Sequence, residues 1–443
     1  MNGASRRFRW WLAGATVLGL VIRVVWLANR WHHPIGFEDA FFYHQQANLL
    51  AAHHGFISPV PYFYQGTVVP AAEHPPLYSL YLSIFSWFGA RSVGWHQIAT
   101  TLLGVGTIPL IGLAAREARS ARTGVIAAVI AAVYPNLWYQ NGIVWAETMA
   151  QATVALFVFV AYRYVRRPSP RTLGALALVA GLATMARVEL ILLFPFVVVP
   201  LALLTQPLAW RRRLAWVGTA GVLLLVALAP WVALNLGRFH DTTTLSSNGG
   251  LTLASATCDS TYYGPRIGYW NFWCAEASGT RASIAGGDPS QVDAVAQSDA
   301  LHYVRAHLSR FPAVLAARVG RVLEVWRPAQ QADFDQIEGR PRPIAFAGLT
   351  TWWLVAALAV VGAIGLRRRG VPSFPALGPV VVVVAAMAFA FASTRYRASC
   401  EPAVVVLAAV GVESVARFLA ARLPSVDERG GDRSGGRGAG AGA

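Results

Sequence analysis

The sequence predicts an all-α polytopic membrane protein with about ten transmembrane helices, interfacial helices in its first outer loop, and a long outer segment between spans seven and eight. Three observations lead there. Hydrophobic residues make up 55% of the 443 residues and charged residues only 13%, too apolar a balance for an ordinary soluble globule. Several apolar runs approach the ~20 residues that cross a bilayer. The net charge of +16 comes entirely from arginine, since no lysine occurs, and the arginines stand in clusters between the runs. Such clusters set membrane topology, whereas a nucleic-acid-binding chain gathers its charge into one patch or stripe.

Span one covers about 10–30 and follows Arg6, Arg7 and Arg9. No small-residue cleavage site interrupts it before Arg23, so it reads as a retained signal anchor with a cytoplasmic N-terminus. Arg23, in mid-span, has two readings: a functional intramembrane cation, or a side chain that snorkels to the interface. Spans two (95–115) and three (123–138) flank Arg116, Arg119 and Arg122. Spans four (from Glu147) and five (172–186) flank Arg163, Arg166 and Arg167, and spans six (190–205) and seven (214–236) flank Arg211, Arg212 and Arg213. Spans eight (346–366) and nine (374–391) are joined through Arg367, Arg368 and Arg369, and span ten covers 402–421. Counted this way, every dense arginine cluster falls on the cytoplasmic side. The chain divides into an N-terminal transmembrane module at 1–236, an extracytoplasmic segment at 237–345, C-terminal transmembrane helices at 346–423 and a Gly- and Arg-rich, disordered inner tail at 424–443.

The first outer loop, 32–94, holds the candidate chemistry. It is polar, aromatic and rich in histidine, and places the adjacent acids Glu38 and Asp39 where membrane gives way to water, in a chain with only 21 Asp and Glu. Paired carboxylates can divide base and electrostatic roles; acids at this point also suit the start of an ordinary helix. Residues 38–53 carry apolar groups at helical spacing, which predicts an interfacial helix, and 76–88 predicts a second one too short to span. Between them, Glu73 and His74 precede Pro75 and Pro76, which hold the preceding residues out of a helix and fix an acid beside an imidazole. The plainer reading of His74 is a surface imidazole at a proline turn.

Other polar residues stand out against the apolar background. Glu147 opens span four, as a helix-start acid or a third member of the site. Arg187 and Glu189 lie in a tight turn between spans five and six, either paired with each other or offering Arg187 to a phosphate. Arg395 and Arg397 fall between spans nine and ten, on the side where arginine is disfavoured, which points to an anionic partner or to interfacial anchoring. Cys258 and Cys274, in the extracytoplasmic segment and distant from Cys400, are expected to form a disulfide.

In their shared order these features resemble the GT-C class of integral membrane glycosyltransferases, with protein O-mannosyltransferases and lipid A aminoarabinose transferases as similar families. The resemblance rests on one span followed by Glu38 and Asp39, on Pro75, Pro76, Leu77 and Tyr78, and on Ala146, Glu147 and Thr148. It extends to Gly181–Glu189, to Ser247, Asn248, Gly249 and Gly250, and to Arg395, Tyr396 and Arg397 with Glu401 and Pro402. It implies inverting transfer of a sugar from a polyprenyl-phosphate donor to a glycan, lipid or protein acceptor, by a multi-pass plasma-membrane enzyme whose site faces outward. By the same resemblance Glu38, Asp39 and Glu73 are the catalytic acids, with the choice of base between Glu38 and Asp39 open, and His74, standing where some relatives have lysine, meets the donor phosphate. The charge and placement of Arg187, Arg395 and Arg397, rather than the resemblance, make them the further donor-phosphate ligands. The residues fit independently: such transfer needs a carboxylate, cations for the leaving phosphate and a site at the lipid boundary. The absence of a Gly-rich nucleotide-phosphate loop agrees with a lipid-linked donor. No cofactor is firmly implied and no metal ligand set is assigned; unpatterned histidines such as His32, His33, His53 and His54 leave a divalent cation open. Membrane lipid is a partner and nucleic acid is not. The competing reading is a transporter or lipid-linked sugar flippase, which would call for an internal repeat that the sequence lacks.

Overall fold

A computed structural model describes residues 3–31, 35, 39–204 and 209–422. Glu38, His32, His33 and the tail from 424 lie outside the described residues. The described chain is helical, with one isolated antiparallel bridge between Ile57 and Pro70. Six helices are long and apolar enough to cross a membrane: Ser5–Arg30, Val93–Ala118, Glu147–Arg166, Trp210–Leu236, Arg342–Arg367 and Thr394–Ala420. Four shorter apolar helices, Ala121–Val133, Pro170–Ala186, Val188–Leu204 and Phe374–Phe389, occupy the remaining expected spans. Their length follows from their boundaries. Ser120 and Ser169 cap two of them at the start, Ser169 in a reciprocal box with Thr172 and with Pro170 at the first helical position. The Val188–Leu204 stretch is not regular: it opens as a 3₁₀ turn and passes through a π turn at Phe194–Val198, where Pro195 lacks the N–H that an α-helix would use.

Small residues let these helices approach closely. A Cβ at Gly362 would lie 1.9 Å from the Leu407 carbonyl, and one at Gly411 would lie 2.0 Å from that of Leu358. Backbone contact therefore joins Arg342–Arg367 to Glu401–Ala420, as expected where packing rather than hydrophobicity drives association. Arg23 matches neither of its sequence readings. It is fully buried, donating from Nε to Asn141 Oδ1 at 2.7 Å and from its terminal nitrogens to the carbonyls of Gly19, Ala131 and Ala132. It ties the first helix to Ala121–Val133 and to the Tyr139–Gly142 turn, rather than lining a site or reaching for the interface.

The 237–345 segment folds as helices, chiefly Phe272–Ile284, Pro289–Ala306, Phe311–Val322 and Pro328–Ile337. A disulfide joins Cys258 to Cys274. Buried arginines fasten this segment to the apolar helices. Arg318 donates to the carbonyls of Ala256, Ala388 and Phe389, and Arg340 pairs with Asp335 at 3.0 Å and bonds Asn136.

Arg23→Met keeps the length of the side chain but leaves Asn141 Oδ1 without its donor. It is expected to destabilise the fold by about 1–3 kcal/mol, read as a lower thermal-unfolding midpoint in detergent. An unchanged midpoint would contradict the staple.

Candidate active site

The site assembles where five stretches end. Asp39 begins the helix Asp39–Ala51, so its carboxylate projects from a first turn. Pro75 and Pro76 delay the helix Leu77–Trp87, leaving Glu73 and His74 in irregular backbone ahead of it. Glu147 opens Glu147–Arg166. Arg187 follows Pro170–Ala186 in extended backbone, with φ of −152°. Arg395 sits in the single turn Thr394–Arg397, whose start is capped when Ser393 Oγ accepts from the Arg395 N–H at 3.2 Å.

These side chains form one chain of alternating charge. The Arg395 guanidinium donates from Nε to Glu147 Oε1 at 2.7 Å and from Nη2 to Asp39 Oδ2. Asp39 Oδ1 lies 3.3 Å from His74 Nε2. Arg187 reaches the same Glu147 oxygen at 3.0 Å and Glu189 Oε1 at 2.6 Å. Aromatic rings frame the cations: Trp145 lies 3.9 Å from Arg395, Tyr396 lies 4.3 Å from Arg187, and Phe42 and Tyr43 enclose the His74 ring. Glu147 is fully buried and its Oε2 makes no hydrogen bond; Glu73 bonds Ser58 through Oε1, and its own Oε2 is buried and unpartnered. A buried acid without a partner on one oxygen is costly unless the site serves a ligand or a proton.

The network opens into a cavity of about 470 Å³. Asp39, Tyr43, Glu73, His74, Arg187, Glu189 and Arg395 make its polar wall, Ser246, Asn248 and Gly249 close one end, and Ala386, Met387, Ala390 and Phe391 give it an apolar flank. The glycine run in that wall has a steric reason. A Cβ at Gly250 would meet the backbone oxygen of Asp293 at 2.0 Å, and the Asp293 carboxylate accepts the N–H groups of Gly250 and Leu251.

Of the residues singled out in the sequence, Asp39, Glu73, His74, Arg187 and Arg395 converge on this cavity, and Glu147 joins them through both arginines. Glu38 lies outside the described residues. Arg397 does not reach the cavity. It is fully buried, pairs with Glu324 at 3.1 Å and with Glu401 at 2.8 Å, and lies over the Trp352 ring. Alternate placement within one helical turn sends two arginines separated by a single residue to different sides. Trp145 and Glu338 have no signal in the sequence, where one aromatic or acid among many stands out from nothing; Tyr43 reads there only as part of a helix face, Tyr396 only as part of its motif and Glu189 only as a partner for Arg187.

Electrostatics separates the carboxylates. Burial opposes charge on Asp39, but Arg395 and then His74 outweigh it and hold this carboxyl far below the usual range. For Glu73 burial wins: it raises the carboxyl, with His74 and the Ser58 bond offsetting part and Asp39 adding to the rise. Glu338 lies behind Arg395 and accepts from Ser393 Oγ, Tyr269 Oη and Trp270 Nε1. Burial, opposed by Arg395 and reinforced by Asp335, pushes it up to about 7.

Comparison with known proteins places this architecture. The fold is that of the GT-C class of integral membrane glycosyltransferases. Within that class, residues 73–233 match the family model described as dolichyl-phosphate-mannose-protein mannosyltransferase. Among solved structures, the chain superposes on the oligosaccharyltransferase of Archaeoglobus fulgidus in complex with Zn and sulfate. The TM-score is 0.56 at 16% identity, covering 93% of this chain and 50% of that one. It also superposes on AglB of the same organism, in complex with an inhibitory peptide and a dolichol-phosphate, with TM-score 0.52, 15% identity, and coverage of 94% and 52%. ArnT of Cupriavidus metallidurans bound to undecaprenyl phosphate gives 0.41 at 14% identity, covering 91% and 78%. The chain thus spans about half the length of the oligosaccharyltransferases it matches. No curated protein gives a significant match.

Because the folded pKa of Glu338 is raised, the folded protein keeps a proton that the unfolded chain has already lost. Stability from this group is therefore greatest below the ordinary glutamate range and falls as pH rises through about 7. Glu338→Gln is expected to flatten that part of the profile of thermal midpoint against pH. Superimposable profiles would show that Glu338 ionises normally.

Proposed function

We propose that this chain is a membrane glycosyltransferase that moves a sugar from a polyprenyl-phosphate-linked donor to an acceptor at the outer face of the membrane. One observation carries the reading: a single cavity joins a carboxylate, two arginines and an imidazole to an apolar flank. A donor of this class has the matching parts, an anionic phosphate and an apolar tail. The family match and the shared fold support it, as does the dolichol-phosphate named with AglB.

The chemistry is a single displacement. The acceptor hydroxyl oxygen bonds to the anomeric carbon while its proton passes to a carboxylate. The bond from that carbon to the phosphate oxygen breaks, its electron pair leaving with the polyprenyl phosphate, and the anomeric centre inverts. Charge developing on the phosphate falls on Arg395 and Arg187, with His74 beside them as a hydrogen-bond donor. Asp39 is the base. In the unliganded site it is a weak one, because Arg395 and His74 hold its two oxygens. A donor phosphate competes for the same guanidinium fork, and as Arg395 turns to it Asp39 loses a counter-charge and gains proton affinity. Glu73 stands beside it as the less acidic carboxyl, placed to hold the acceptor or sugar by a hydrogen bond. Glu38 remains a second candidate base from the same loop. Zn is named with one matching oligosaccharyltransferase; here both Asp39 oxygens are engaged, and among the described residues no three His, Cys, Asp or Glu side chains are grouped to hold a metal.

Purified protein incubated with a panel of polyprenyl-phosphate sugars is expected to consume one donor and release polyprenyl phosphate. Asp39→Asn lowers that turnover by at least ~10²-fold, the usual scale for loss of a general base, while donor still binds. Arg395→Lys weakens donor affinity, since an ammonium cannot form the fork, and Arg397→Lys changes it less because Arg397 lies outside the cavity. Wild-type turnover in both Asp39→Asn and Glu38→Gln would remove the catalytic role of this loop.

A further inference from the structure

A second cavity, of about 490 Å³, lies at the opposite end of the Arg342–Arg367 and Glu401–Ala420 helices from Arg395. We propose that it binds the headgroup of an anionic phospholipid from the same membrane. The proposal rests on these helices spanning the bilayer, not on the transfer activity.

The cavity lies beside the C-terminal ends of this helix pair. Backbones touch at Gly362 and Gly411, about one and a half turns before one helix ends and about two and a half before the other, and a wedge alongside their last turns is not filled. Its lining is divided by chemistry. Val361 and Phe418 are large, apolar and exposed, a surface suited to acyl chain. Arg119, Arg368, Arg369 and Arg417 gather at the polar end. The nearby acid, Glu413, is fully buried behind them and already committed to Arg119, Arg417, Ser120 and Thr123. Arg368 and Arg369 make no side-chain hydrogen bond or ion pair among the described residues, and both are exposed. Arg119 is tightly held, through Nη1 to Val410 O at 3.1 Å and Ser414 Oγ at 2.6 Å.

Four cations around one wedge, with a single neutralising acid, leave the pocket strongly positive. A phosphodiester at headgroup depth fits that charge, and its chains fit the apolar wall between helices. Zwitterionic lipid carries its own cation into the pocket and matches it less well. Free phosphate matches the charge but leaves the apolar wall uncovered.

The test uses full-length protein in detergent, with native mass spectrometry and thermal midpoints on titration with phosphatidylglycerol, phosphatidylcholine or inorganic phosphate. Retention of phosphatidylglycerol and a rise in midpoint specific to it are expected. Each exposed arginine contributes about fivefold in affinity near a charged surface, so Arg368→Ala with Arg369→Ala should weaken retention about twenty-five-fold. Arg211→Ala with Arg212→Ala, which removes exposed arginines outside the cavity, should leave it unchanged. Equal loss in the two double variants would show diffuse surface attraction and overturn the site. So would an equal response to phosphatidylcholine, or to inorganic phosphate alone.

Discussion

The position of one guanidinium decides most of this structure. Arg395 bonds Asp39 and Glu147, residues 356 and 248 positions away, and thereby fixes where three helix ends meet. The arrangement is demanding because Glu147 has no access to solvent. An ionised carboxylate in that setting needs Arg187 and Arg395 together, and removing one member of such a pair costs about 3–5 kcal/mol by leaving charge uncompensated. The same pairing aims Asp39 into the cavity and sets its low proton affinity. The contacts that hold the helix ends together are the same ones that orient the polar wall of the cavity, so substitutions here will move both.

The 237–345 segment participates in holding that guanidinium. Ser393, which caps the Arg395 turn, donates to Glu338, and Thr394 donates to Asp335 at 2.7 Å. On the other side of the cavity, Ser246 donates to the Glu73 carbonyl and the Ser247 N–H to that of Ala72, each at 2.8 Å. The segment therefore braces the site from two directions. Division of the chain at 237 and 345 follows hydrophobicity, while the mechanical unit crosses both lines.

Much of this was legible in the sequence, for identifiable reasons. Apolar runs and arginine clusters located the helices because burial and topology act on composition, which short windows report. The first loop was visible because prolines and adjacent acids are rare in such a chain. Ion pairs between distant stretches were not legible, unlike the local Arg187–Glu189 pair and the Cys258–Cys274 disulfide. Glu147 read equally well as a helix-start acid, and nothing local distinguishes Arg395, which enters the cavity, from Arg397, which is locked between Glu324 and Glu401. Arg23 misled for the same reason: its partners are carbonyls and Asn141, which have no sequence signature. The four shorter apolar helices were legible near their observed bounds, span five being read at 172–186 against Pro170–Ala186, where serine and proline mark the start.

The separation between Asp39 and its cation also has a consequence in time. A ribosome adding ~5–20 residues per second delivers Arg395 roughly 20–70 seconds after Asp39. Glu147 waits a shorter interval, for Arg187, only 40 positions on. Throughout that period the first loop has its carboxylates but lacks the charge that orients them, so the ion-pair network stays incomplete until nearly the last helix is made. Premature termination anywhere before the Arg395 turn leaves Asp39 and Glu147 without the guanidinium that joins them, however well the earlier helices are formed.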